Sequence, residues 1–165
     1  MPTVTLTDDQ VDTATQVALE RMSSSIEMGL KHSFNAARMA DPEYDKAINI
    51  QGAIAEYAVA LKYDLPWGGS QQFKGVDVGE FEVRSQARST KEYLLYVRKW
   101  DKDALYIYCV VDSPTVVIAG WASAFQVRTE GKLCFPDQEC YGLARAKLNQ
   151  MSDLDEVVEF ASRKC

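Results

Sequence analysis

A chain of 165 residues with 47% hydrophobic and 25% charged side chains can bury one core and is too short for two ordinary domains. Nine Gly and five Pro exclude a collagenous or low-complexity chain, and no apolar run reaches the roughly 18 residues of a membrane helix. The net charge of −6 excludes a uniformly basic nucleic-acid binder, although a local basic stretch can still act within a screening length of about 8–10 Å.

The N-terminus, MPTVTLTDDQ, has neither a basic start nor an apolar core, so no secretory signal is expected and the location implied is cytoplasmic. The four cysteines are then expected as reduced thiols. Cys109, inside LYIYCVV, reads as core. Cys134 and Cys140 stand six apart, a spacing outside the common zinc patterns, with a single histidine in the chain to join them.

In chain order, Val11, Thr15, Ala18, Met22, Ile26 and Leu30 recur every three to four residues and predict an amphipathic helix. Asp41-Pro42 is a helix start, and the helix is expected to run to about Tyr63, where Asp64-Leu-Pro66-Trp-Gly-Gly69 stops it. The period then changes. Short β-type runs are expected at 76–78, 81–85, 93–98, 105–111 and 115–121. Gly79-Glu80, Trp100 to Asp103, and Asp112-Ser-Pro114 supply the turns. Residues 122–127 fit helix or strand equally. The tail ends in a helix opened by Ser152 or Asp153 and finishing near Arg163. Helices, then strands, then helix give an α+β fold, with a central, mostly antiparallel sheet flanked by helices in a single domain, 1–165.

Three carboxylates stand out. Glu56 lies among small apolar residues in the second helix, where an unpartnered buried charge would be very costly. Asp77 lies in GVDVG. Glu82 lies in Phe81-Glu82-Val83-Arg84, where strand alternation puts Glu82, Arg84 and Gln86 on one face. Singly, each has a bland reading as a surface helix residue, a turn residue or an exposed strand pair. Converging carboxylates suit a hard cation such as Mg²⁺, and a cation beside a positive side chain is equipment for phosphodiester hydrolysis.

The ordered set resembles the PD-(D/E)XK nuclease superfamily, and more closely its small phage-type members. The similar pieces are GAIAEYAVA, GVDVGEFEVRS, LLYVRKWDKDALYIYCVV and VVIAGW, within the 70 residues from Gly52 to Trp121. The resemblance implies a restriction-endonuclease-like α-β-β-β-α-β core at about 43–127, with an extra N-terminal helical segment (7–40) and a C-terminal helical tail (141–163). It implies Mg²⁺-dependent (or Mn²⁺-dependent) cleavage of DNA by a protein of phage or prophage origin, acting in the host cytoplasm if phage-encoded. Asp77 and Glu82 would be metal ligands, Glu56 a helix carboxylate supporting the metal or a water, and Gln86 the glutamine some branches keep. Arg84 departs from the pattern, which has Lys there. Arg stays protonated and cannot act as a base, but it can bind a phosphate oxygen. Either Arg84 suffices electrostatically, or Lys99 substitutes, or catalysis is lost.

From Arg84 to Lys102 six basic residues face two acidic ones, a net of +4 that leaves −10 for the rest of the chain. Arg88, Lys91, Arg98, Lys99 and Lys102 are the candidate DNA-binding residues; the bland reading is a solvated surface. Of the aromatic residues Tyr93, Tyr96, Tyr106, Tyr108, Trp100 and Trp121, most read as core, with one or two at the rim able to stack on unpaired bases. His32 reads as a helix-end or surface residue. The expected function is a metal-dependent DNA endonuclease or exonuclease. The alternatives are a catalytically degenerate nuclease fold that binds DNA or a host defence or recombination protein, and an acidic nucleic-acid mimic. No membrane partner is expected, and a homodimer is compatible with each.

Overall fold

The computed structural model describes residues 1–27, 41–69 and 77–154, with side chains described outside 25–27. Strand β1 (Thr3–Thr5) leads into α1 (Asp8–Glu27). The helix opens on a reciprocal cap: Gln10 N donates to Thr7 Oγ1 at 3.3 Å, and Thr7 N donates to Gln10 Oε1 at 2.9 Å. Its buried line is Ala14 and Ala18; Thr15, expected on the apolar stripe, turns its hydroxyl onto the Val11 carbonyl at 2.8 Å. Leu30 and His32 lie outside the described residues.

Helix α2 (Pro42–Tyr63) begins and ends where the sequence predicts. The Asp41 carboxylate accepts from Tyr44 N at 3.1 Å, Pro42 opens the first turn, and Asp64 closes the helix in the left-handed region at φ 51°. Its alanines at 53, 55, 58 and 60 are buried, which lets α1 and a sheet approach it closely.

Five strands and a short helix follow: β2 (Phe81–Ala87), β3 (Leu94–Arg98), β4 (Leu105–Asp112), β5 (Thr115–Ser123), α3 (Ala124–Glu130) and β6 (Lys132–Phe135). Strand β7 (Cys140–Ala144) comes last, and short 3₁₀ turns occupy Pro136–Gln138, Arg145–Lys147 and Met151–Asp153. The class is α+β, with one mixed and one antiparallel sheet. The first sheet runs β1-β5-β4-β2, with β2 parallel to β4 and the other pairs antiparallel. The second runs β3-β7-β6 and is antiparallel throughout. The chain therefore crosses from β2 to its parallel neighbour through a strand of the other sheet.

The first sheet is covered on both faces. Phe81, Val83, Ile107, Cys109, Val111, Val116 and Ile118 pack toward α1 and α2, and Cys109 is core as expected. Tyr106, Tyr108, Val110 and Ala122 pack against Leu95, Val97, Val127 and Leu143 of the second layer.

Several expectations change. Residues 122–127 resolve into the end of β5 and the start of α3, where the Ser123 hydroxyl caps Gln126 N. Residues 141–144, expected within a helical tail, belong to β7, because Cys140, Gly142 and Leu143 are needed inside the second layer. Val78 makes single bridges to Trp67 and Phe81 rather than a strand, and Val76 lies outside the described residues, as does the tail helix beyond Leu154.

Candidate active site

The segment after α2 and the turn before β2 are stitched together, and this places Asp77. Gly79 N donates to Pro66 O at 2.8 Å, Phe81 N to Val78 O at 2.8 Å, and Val78 N to Phe81 O at 3.0 Å. Gly79 holds φ 55°, a conformation glycine adopts without a Cβ penalty. Asp77 Oδ2 accepts from the backbone N–H of Val83 at 2.8 Å, so the carboxylate is clamped to the edge of β2.

Asp77 shares its surroundings with Glu56 and Glu82. Burial pushes its carboxyl up to about 7, Glu56 and then Glu82 add like charge, and the Val83 N–H and Arg84 pull the other way. Both glutamates singled out in the sequence therefore act on Asp77.

Glu56 is buried and fully engaged. Arg21 from α1 grips it in a fork, Nη1 to Oε1 at 3.1 Å and Nη2 to Oε2 at 2.8 Å, and Trp67 Nε1 donates to Oε2 at 2.9 Å. Arg21 Nε is spent on the Gly69 carbonyl at 2.8 Å, and its guanidinium lies 5.9 Å from the centre of the Trp67 ring, which stacks on Tyr57 at 4.7 Å. Arg21 and Trp67 are site residues that the sequence reading missed.

Glu82 is buried on β2 and meets Lys102 from the β3–β4 connection, with Nζ donating to Oε1 at 3.0 Å. Oε2 has no hydrogen-bond partner among the described residues. Arg84, two residues along the same face, lies 3.5 Å from Asp101 and 5.1 Å from the centre of the Tyr106 ring. Gln86 is turned to structure: its Oε1 accepts from Leu94 N at 3.0 Å and from the Tyr108 hydroxyl. Lys99, one of the alternatives to Arg84 raised from the sequence, is paired with Glu139 at 2.9 Å; the lysine beside the carboxylates is Lys102.

Among the described residues no group of three or more His, Cys, Asp or Glu side chains is arranged to hold a metal ion. The donor set still fits a hard cation of the Mg²⁺ kind, which takes one or two carboxylates and fills its remaining positions with water and phosphate. Asp77 and Glu82 would be the two. Glu56 fits as a support and not as a ligand, since Arg21 and Trp67 occupy both its oxygens.

The candidate DNA-binding residues do not form one open stripe. Arg88 pairs with Asp112 at 2.9 Å and Lys99 with Glu139, both at exposed positions, while Lys91 is exposed. Arg98 is nearly buried, its Nε 3.6 Å from Asp101. Ion pairs at exposed positions contribute little, so Arg88 and Lys99 can exchange carboxylate for phosphate readily, whereas Lys102 rests on the buried Glu82. Binding through Arg88, Lys91, Lys99 and Lys102 should weaken with salt at a log–log slope of about −3.6 on duplex DNA. Substituting Lys91 and Lys99 by Ala should flatten the slope by about 2. A slope unchanged in that double variant means that this surface is only solvated.

Among the described residues no helix is long and apolar enough to cross a membrane. No family model, no curated protein and no solved structure matches this chain.

Proposed function

We propose that the chain is a metal-dependent deoxyribonuclease of the PD-(D/E)XK kind, with Asp77 and Glu82 as the cation's protein ligands. One observation carries the reading. Burial, joined by the like charge of two buried glutamates, one on the packed helix and one on β2 itself, pushes an Asp at the entry to β2 up to about 7. Like charges gathered this way weaken a fold unless something positive joins them.

The topology supports the reading in part. A helix bearing Glu56 precedes an Asp turn and a Glu-x-Arg strand, and that strand pairs in parallel with the next strand of its sheet. The departure is the crossover, which passes through β3 of the second sheet where a plain α-β-β-β-α-β core would not.

In this site a bound divalent cation would polarise a phosphoryl oxygen and lower the pKa of a water. The chain's own residues do the remaining work. Arg84 and Lys102, both on the Glu82 side, neutralise charge that develops on the phosphate, and Arg84 stays protonated throughout. Arg21 and Trp67 fix Glu56, so its negative charge faces Asp77 in a single orientation. The Val83 N–H holds Asp77 toward the same point.

The test is incubation with linear, nicked, branched and single-stranded DNA in Mg²⁺ or Mn²⁺ and in chelator. Cleavage that stops in chelator is the expected result; absence of cleavage on every substrate overturns the reading. A second reading, a degenerate nuclease fold that binds DNA or a host or phage protein, draws support from the cations already resting on Glu56 and Glu82. For it, wild type is inert, and Arg84→Lys restores Mg²⁺-dependent cutting.

A further inference from the structure

Further along β2 the same strand face opens into a cavity of about 640 Å³ between α2, β2 and the second sheet. Gln86 lines it, four residues beyond Glu82 and so about 13 Å away along the strand. The size is that of a small-molecule pocket.

Its walls are aromatic. Tyr44 comes from α2, and Tyr96 and Phe135 come from the second sheet with ring centres 5.5 Å apart at 51°. Its floor is polar and uncharged. Gln51 Nε2 donates to Ser85 Oγ at 3.2 Å, and Ser89 and Thr90 lie alongside. Gln86 is locked in one orientation: Oε1 takes both the Leu94 N–H and the Tyr108 hydroxyl, which leaves the amide NH₂ as a donor without a partner among the described residues. Among the described residues no carboxylate lines the cavity, and the one cation that does, Arg98, is held against Asp101.

Aromatic walls with amide and hydroxyl groups between them match a flat, neutral, hydrogen-bonding ring. They do not match a phosphate, which would call for open cations, or an aliphatic chain, which would leave Gln86 and Ser85 unpaired. From the cavity and its distance to Glu82 we infer that it takes an unpaired nucleobase of a single strand whose backbone reaches the carboxylates at the start of β2. The inference rests on the nucleic-acid substrate proposed above and narrows it: the substrate is a strand with at least one base free of a duplex.

Both Tyr44 and Phe135 are about half exposed, so truncating them leaves the fold in place. The probe is a thymine oligonucleotide carrying one 2-aminopurine, titrated in chelator so that no cleavage occurs, beside its duplex form and free deoxyadenosine. Binding is expected to quench the fluorescence of the single strand and to be at least 10-fold weaker for the duplex. Phe135→Ala and Tyr44→Ala should each loosen it about 5- to 150-fold, the range of one lost base–aromatic stack. Phe135→Tyr should bind like wild type, and so should Phe125→Ala, which removes an exposed ring outside the cavity. Binding unchanged in the Phe135→Ala/Tyr44→Ala double variant overturns the inference, as does equal affinity for duplex, or deoxyadenosine binding as tightly as the strand. Quenching without cleavage under any metal condition leaves the pocket standing and removes the nuclease; cleavage with no preference for unpaired bases does the reverse.

Discussion

Replacing Asp77 with asparagine should lower metal-dependent cleavage by about 10³-fold or more and at the same time make the protein more stable above pH 7. The two effects share a cause. In the folded protein the Asp77 carboxyl titrates at about 7 against an ordinary 3.8, because burial, Glu56 and Glu82 all oppose its charge. Between those values the folded state binds a proton that the unfolded state has released, so stability falls as pH rises from about 4 to about 7, then levels off. The loss is on the order of 4 kcal/mol, at about 1.4 kcal/mol per pH unit. Asparagine cannot ionise, yet its amide oxygen can still accept from Val83 N. At pH 8 the variant should melt about 8–16 °C higher than wild type, and its melting temperature should lack the fall between pH 4 and 7. Mg²⁺ should raise the wild-type melting temperature at pH 8 and leave Asp77→Asn unmoved. A wild type insensitive to Mg²⁺ would remove Asp77 from the metal site, whatever the cleavage assay reports.

Arg21→Ala should be the most destabilising single change in the site, by about 3–5 kcal/mol, the cost of leaving one half of a buried ion pair behind. Glu56 keeps Trp67 Nε1 as its single neutral donor, and the Gly69 carbonyl loses the Arg21 Nε–H. Urea denaturation measures the loss. The double variant Arg21→Met/Glu56→Leu should recover most of it, since a well-packed apolar pair removes the uncompensated charge as well as its partner. Recovery of stability without cleavage in that double variant separates the two roles of Glu56, holding the helices together and holding charge beside Asp77. Arg21→Ala no less stable than wild type would show that the fork contributes nothing.

Local signals explain what was legible. Asp41-Pro42 and Asp64 bound α2 in the sequence as they do in the fold, since caps and stops are chemistry of a few adjacent residues. The alternation of Phe81-Glu82-Val83-Arg84 gave the correct face to each side chain. Of the second sheet only β3 was legible, because β6 and β7 are four and five residues long and β7 finds β3 only across distance in the chain. Arg21 was hidden by a stripe drawn one position off. Val11, Thr15, Ala18 and Met22 fit the period, but the line that is buried runs through Ala14 and Ala18, and its next step is Arg21. Glu56 itself carried the clue, because a carboxylate set among alanines requires a cationic partner. The choice between Lys99 and Lys102 depends on how the β3–β4 connection folds back, which no spacing rule encodes.

The crossover through β3 also sets an order of assembly. β1 pairs with β5 across more than a hundred residues, with Thr3 opposite Val117 and Pro2 O accepting from Ile118 N at 2.8 Å. β2 cannot meet β4 until the chain between them has been delivered to the other layer. During synthesis α1 and α2 can already join through Arg21 and Glu56, while β1 waits unpaired for a partner that leaves the ribosome much later. Such long-range closures belong to chains that fold in milliseconds to seconds, and until then β1 presents an open strand edge.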